Sequence, residues 1–332
     1  MTPRPGTHLS ATVAGTTPAW RHWIGEFLGL LIGLAALITV FGLTTDHFLS
    51  GTHLRTIANQ IPSAVLVATG MTCVLILGQI DLSVGSVLGF AGAMLGVAMT
   101  RWHLPLPLAV ALALAVGAIC GAFNGLVSMR WRLPTFIVTL GMLEMARGAA
   151  HAVTGSQTQY IGSAVGRLAD ASILGFSLPF LVALVVVVAT HILMVKTVFG
   201  RYTVAIGTNE EAARLSGIDP RGVKLSVFIG TGVLSALAAV IDTSRFQAAN
   251  PNAGLGLELN AIAAAVIGGT SLMGGRGSVL RTFLGVVIIA VLNSGLAAIG
   301  AKDEIKRLIT GAVIIAAVIV DVYRQRGVRR PA

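Results

Sequence analysis

The chain has 332 residues, 55% of them hydrophobic and only 11% charged, with a mean hydropathy of +0.86 and a net charge of +10. Soluble domains carry about 25% charged residues, so this composition excludes an ordinary water-soluble fold. The positive charge is not read as a nucleic-acid footprint, because lysine and arginine sit mainly in short connections between apolar runs, where they orient spans; no nucleic acid is expected as a partner.

Residues 1–23 are polar and include Arg4 and Arg21. The apolar run after them is too long for the core of a cleavable signal, so it reads as a first membrane span preceded by a tail. A crossing needs about 20 mostly apolar residues. About ten stretches approach this length: 24–44, 61–78, 84–100, 107–127, 135–153, 178–199, 225–242, 259–273, 279–299 and 306–323. The third and eighth are short and rich in glycine, which suits broken or re-entrant helices shielded by protein. The expected fold is all-α, a polytopic bundle forming one domain over residues 24–323, with a tail at 324–332. Basic residues such as Arg130, Arg132, Lys196, Arg201, Arg214, Arg221 and Lys224 place both termini in the cytoplasm; Lys302, Lys306 and Arg307 oppose this locally. Cys73 and Cys120 lie within apolar runs and read as core residues. Gly85-Ser86-Val87-Leu88 recurs as Gly277-Ser278-Val279-Leu280, a weak internal echo.

No phosphate-binding loop, zinc-protease helix, nucleophile elbow or paired-cysteine motif is present, so neither enzyme activity nor a cofactor is expected. The connection 200–224 is the most informative segment, and reads as a long, polar inside loop. Thr208 or Asn209 can cap a short helix, since Glu210 and Glu211 then lie in its first turn near the positive end of the dipole. Ala212, Ala213 and Leu215 continue it, Gly217 ends it, and Pro220, just past Ile218, prevents resumption. About two turns of helix follow, either a solvated connector or a knob for a partner's groove.

The pattern Glu-Ala-Ala…Gly resembles the coupling loop of ABC importer permeases. Further segments are similar to the ribose/xylose-type sugar permease family: Gly78 to Ser86, Asn124-Gly125-Leu126, Pro134 to Gly141, Ala146-Arg147-Gly148, Phe199 to Tyr202, Ala205 to Ile218, Ala264 to Ser271 and Gly274 to Ser278. The similarity runs from about residue 50 to 323, with departures at Gln79 and Arg281. The resemblance implies a dimer, most simply a homodimer, of inner-membrane permeases embedded in lipid. Two ATPase subunits would bind inside, through residues 209–217, and a periplasmic sugar-binding protein outside. A small sugar would pass by alternating access.

Several polar groups fall within the spans. Glu144 and Arg147 are three apart on one helix, which allows an ion pair or, alternatively, a gate or sugar contact. Asp81 and Ser83 precede a helix and read either as caps or as a corner of the pathway, with Asn124 as a further pathway candidate. Asp242 and Arg245 end the seventh span and are expected to turn outward. Asn250 to Gly254 reads as a turn-rich outer loop, suited to docking a binding protein. Three other readings compete: an ion-coupled secondary transporter, against which the Glu-Ala-Ala loop argues; a related permease for branched-chain amino acids or nucleosides, which the sequence leaves open; and a membrane enzyme, which fails for lack of a catalytic constellation.

Overall fold

The computed structural model describes residues 19–45, 48–173 and 175–328. Most of the tail expected at 1–23 and the last four residues of that at 324–332 lie outside this range. Helix α1 (Ala19–Thr44) is followed by a bent pair, α2 (Gly51–Gln60) and α3 (Pro62–Ile76), set at 47°. Then come α4 (Val84–Thr100), α5 (Leu106–Trp131) and α6 (Thr135–Thr154). The connection after α6 holds a short α7 (Ser163–Asp170) and three two-residue strands, β1 (Gln159–Tyr160), β2 (Ser172–Ile173) and β3 (Phe176–Ser177). The remaining elements are α8 (Leu178–Lys196), α9 (Val198–Thr208), α10 (Glu210–Leu215), α11 (Pro220–Phe246), β4 (Ala248–Ala249), α12 (Leu257–Ile267), α13 (Val279–Ala298) and α14 (Asp303–Val328).

Every apolar stretch becomes helical, but the expectation of about ten spans is too high. Among the described residues six helices are long and apolar enough to cross a membrane, or seven if α2 and α3 count as one span. The shortfall includes α4, with 17 residues, and α12, with 11. At 1.5 Å per residue an 11-residue helix covers only about half a bilayer core of roughly 30 Å. The connection 200–224 is also not a loop: α9, α10 and the start of α11 occupy nearly all of it, because Thr197, Asn209 and Asp219 each cap a new helix by accepting a backbone N–H.

Burial follows hydrophobic patterning. α3 is apolar all round and every residue except Ala64 is buried, as expected of a helix surrounded by others. α1 and α8 leave rows of large apolar side chains exposed, among them Ile32, Leu43, Val185 and Ile192, which suits contact with lipid. An extensive, close helix crossing joins α5 to α11. Gly117, Gly121 and Gly125 stand four apart on α5, and a Cβ at Gly117 or Gly121 would overlap the backbone of Gly232 or Phe228. Small residues at this spacing let two backbones pack directly, which is how helices associate where lipid supplies no hydrophobic drive. Cys73 and Cys120 are free and buried, as expected.

Two antiparallel pairings complete the architecture. Gln159 faces Ala249 and Tyr160 faces Ala248, while Ser172 faces Ser177 and Ile173 faces Phe176. The first pair ties the connection after α6 to the segment after α11. It lies at the end of the bundle opposite α10.

Candidate functional site

Three neighbourhoods hold the residues singled out in the sequence. The first is α10. Asn209 accepts the Ala212 N–H through Oδ1 at 3.0 Å, so Asn209, not Thr208, is the cap. At the other end Gly217 takes φ +84°, Ile218 N–H donates to Ala213 and Gly217 N–H to Arg214. This double closure is the Schellman motif, which needs a left-handed residue after the cap. Asp219 then caps α11, with Pro220 in its first turn. Both ends of the short helix are thereby satisfied without a partner.

The carboxylates of this helix are also satisfied. Glu211 pairs with Arg214 at 2.6 Å and Glu210 with Lys224 of α11 at 2.7 Å. In the free chain both carboxylates thus already face basic groups, one on α10 itself and one on α11. Beside these exposed ion pairs the surface of α10 offers Ala212, Leu215, at 80% exposure, and the bare turn at Gly217; Ala213 is buried beneath it. The stem α9 seats the knob. A Cβ at Gly207 would overlap the Ile76 carbonyl at the end of α3, and Gly274 packs on Gly78 and the Gly207 carbonyl. Gly275 N–H donates to that same Ile76 oxygen at 2.8 Å. The end of α9, from which α10 springs, thus stands on the breaks that follow α3 and α12.

The second neighbourhood lies between α3 and α4. Gly78 turns the chain at φ +73°, and residues 79–83 run non-helically to the start of α4. Asp81 Oδ1 accepts the Ser83 N–H at 2.9 Å and the Ser83 hydroxyl at 2.6 Å. Asn124 of α5 donates from Nδ2 to Ser83 Oγ at 2.9 Å. All three side chains are at most 2% exposed. Thr139 of α6 accepts the Leu82 N–H at 3.1 Å, supporting backbone that no helix satisfies. Asp81, Ser83 and Asn124 thus form one buried knot. Ser83 takes the cap position of α4, but its side chain does not cap the helix.

The third neighbourhood is the segment after α11. Asn250 to Gly254 is turn-rich, as expected, but it does not simply cap the bundle. It dips between helices: Pro251 is buried, and a Cβ at Gly254 or Gly85 would overlap the other's backbone. The N-terminal ends of the two short helices, α4 and α12, therefore meet at Gly85 and Gly254. Arg147 reaches this segment, donating from Nη1 to the carbonyls of Pro251 at 2.6 Å and Ala253 at 2.9 Å. The ion pair expected with Glu144 does not form, and Glu144 is exposed. Residues three apart on a helix differ by about 60° in direction, enough for one to face out while the other turns in. Asp242 is likewise not turned outward with Arg245. It accepts the Ser63 hydroxyl, while Arg245 stacks 4.9 Å from the Phe246 ring.

Two open cavities flank the knot. One, of about 630 Å³ at the α10 end, is lined by Gln79, Ser128, Thr135, Glu210 and Gly217 among others. The other, of about 440 Å³ at the opposite end, is lined by Leu88, Tyr160, Asp242, Asn250, Asn252 and Gly254 among others. Gln79 borders the first, and Gly85 packs on Gly254, which borders the second. The stretch 79–85, held by Asp81, Ser83 and Asn124, separates them. Of the departures noted in the sequence, Gln79 faces the α10-end cavity, and Arg281 is buried in the first turn of α13 beside Gly268 and Gly269.

Sequence reasoning read Asp242 as turned outward, used Lys224 only for its charge, and gave Gly207 no role of its own. An ionisable residue inside an apolar run was the available signal for Asp242. Nothing local marks Gly207 or Lys224, whose partners are distant in the chain.

Comparison with known proteins fits this architecture. Residues 52–318 match the family described as branched-chain amino acid transport system / permease component. The ribose import permease protein of Haemophilus influenzae is 37% identical over 281 residues, covering 82% of this chain and 87% of that protein. The Bacillus subtilis ribose import permease protein is 38% identical over 279 residues, covering 82% and 84%. The L-arabinose ABC transporter permease protein of Azospirillum brasilense is 32% identical over 298 residues, covering 90% and 88%. No solved structure matches the chain significantly. With its multi-pass helical bundle and a family match across most of its length, the chain belongs to the permease-component family of ABC transporters, in the branch whose members here are sugar permeases.

Proposed function

We propose that this chain is the membrane-spanning subunit of an ATP-driven importer for a monosaccharide, working by alternating access in the inner membrane. The relatives named above are permeases for ribose and L-arabinose, which supports a small sugar over a branched-chain amino acid or nucleoside. Hydrolysis of ATP belongs to a separate subunit, present in two copies. A second permease copy completes the translocation path, and a periplasmic binding protein delivers the sugar.

The observation that carries the coupling half of this reading is the architecture of α10. It is capped at both ends, neutralised within the chain, exposed through Leu215, and seated through Gly207 on the breaks after α3 and α12. A push on such a knob bears on both interrupted segments. The α10 end is the cytoplasmic side in this reading, and the 440 Å³ cavity opens to the periplasm. The buried knot of Asp81, Ser83 and Asn124 closes the path between the cavities, with Arg147 steadying the re-entrant segment; Glu144 has no place in it. Alternating access requires that this barrier yield when the ATPases close.

The test is Gly217→Val. A Cβ there meets nothing within the chain, so the variant should enter the membrane at normal level despite strain of about 1–2 kcal/mol in the turn. Against a docked partner the added bulk should reduce ATPase co-purification and abolish sugar uptake in vesicles. Full retention of both would reduce α10 to a connector. Orientation is tested separately, in a background lacking Cys73 and Cys120. An impermeant thiol reagent should label Gly155→Cys in intact cells and spare Ser216→Cys; the reverse pattern inverts the topology.

A further inference from the structure

The cavity opposite α10 holds a carboxylate in an unusual setting. Asp242 lies in the last third of α11, a span in which no other acid occurs, and it lines the cavity. One oxygen is held by the hydroxyl of Ser63. Its nearest cation along the chain, Arg245, lies within electrostatic range but forms no ion pair with it, donating to the Gln60 carbonyl and stacking on Phe246 instead. Among the described residues Asp242 makes no ion pair. An acid kept in a membrane span without a cation is costly, and such residues mark substrate or ion pathways.

The rest of the wall decides what the carboxylate is for. Asn250 and Asn252 come from the re-entrant segment, and Thr158 and Tyr160 from the connection paired with it. Asn250 uses its side-chain oxygen to accept the Asn252 N–H at 2.8 Å, which orients its amide. The Asn252 side chain makes no hydrogen bond with any described residue. The set offers an acceptor-only carboxylate, amides that both donate and accept, hydroxyls and a phenol, with Leu88 as an apolar wall. A run of adjacent sugar hydroxyls, each donor and acceptor, matches this set. A bare cation does not, since it gathers several oxygens at once and no group of three acidic, histidine or cysteine side chains converges among the described residues. The volume of about 440 Å³ also lies in the range of small-molecule sites.

We infer that this cavity is the receiving site for the monosaccharide, with Asp242 accepting sugar hydroxyls and the amides of Asn250 and Asn252 fixing the sugar's orientation. This rests on the import reading above and adds a place where selectivity is exercised within the permease. Losing a hydrogen bond to a charged group costs about tenfold or more in binding, so the effect should be large.

The experiment uses the permease assembled with its ATPase and binding protein in vesicles. Uptake of labelled D-ribose, L-arabinose and D-xylose is measured for wild type, Asp242→Asn and Asn252→Leu. Asp242→Asn should lower uptake about tenfold or more. Asn252→Leu, an exposed change that breaks no contact within the chain, should lower uptake about fivefold and change the ratio between sugars by more than threefold, with ATPase retained on the tagged permease. Wild-type rates and ratios in both variants would overturn the assignment while leaving the import reading intact. Wild-type transport of none of these sugars would overturn both. Should a protonophore stop wild-type uptake at constant ATP while Asp242→Asn becomes insensitive to it, Asp242 carries protons and the sugar assignment is wrong.

Discussion

The α5–α11 crossing and the interrupted helices beside it are built from the same residue used in opposite ways. In α5 and α11 the glycines keep helical geometry and let two long, unbroken helices touch backbone to backbone. At Gly78 and Gly269, just past the ends of α3 and α12, and at Gly254, Gly274 and Gly275 in the non-helical connections, they take positive φ and the chain turns. The first use makes a scaffold with no room to move. The second exposes backbone groups inside the bundle, to be satisfied by Thr139, Arg147 or the Ile76 carbonyl. Glycine content alone says only that helices approach closely; whether a given glycine stiffens or interrupts depends on what lies opposite it. The cavities, the polar knot and the seat of α10 all fall on the interrupted side.

Substitutions that separate the two uses should differ in kind. The largest effect is expected for Gly121→Leu, where the side chain would overlap the Phe228 backbone. Forcing the crossing apart should cost about 3 kcal/mol or more, seen as loss of folded protein in detergent extracts. Gly230→Leu on α11 meets nothing within the chain and is the control. If Gly121→Leu accumulates normally, the crossing is not the scaffold.

Gly207→Val comes next. It places a side chain against the Ile76 carbonyl, at the seat of α10. It should lower the level of folded protein less than Gly121→Leu does, yet abolish uptake. Equal loss of folded protein in the two variants would erase the distinction between scaffold and junction.

Arg147→Gln should cost about 2–3 kcal/mol, because two carbonyls of the re-entrant segment lose a charged donor. Glu144→Gln should stay within about 0.5 kcal/mol, since Glu144 is exposed and unpaired among the described residues. Thermal unfolding of the detergent-solubilised permease compares them. Similar losses for both would restore the ion pair suggested by their spacing.

Much of this protein was legible in its sequence. Hydropathy is local, so the apolar stretches marked the helices, and the shortness of 84–100 and 259–273 marked the two short ones, α4 and α12. Capping is also local. Asn209, the Glu210–Glu211 turn, Gly217 and Pro220 specify α10 within a dozen residues, and that helix formed between the expected ends. What depended on distant contacts could not be read in this way. Glu210 meets Lys224 from the next helix, Arg147 meets Pro251 and Ala253 rather than Glu144, and Asn124 of α5 joins Ser83 before α4. Asn250 to Gly254 looks like any polar turn until Gly85 is seen opposite it. A side chain's periodicity along its helix limits the directions it can face, but only the packing of the other helices decides which donor or acceptor waits there. In a low-dielectric interior that choice is made by whichever unsatisfied backbone group lies within reach.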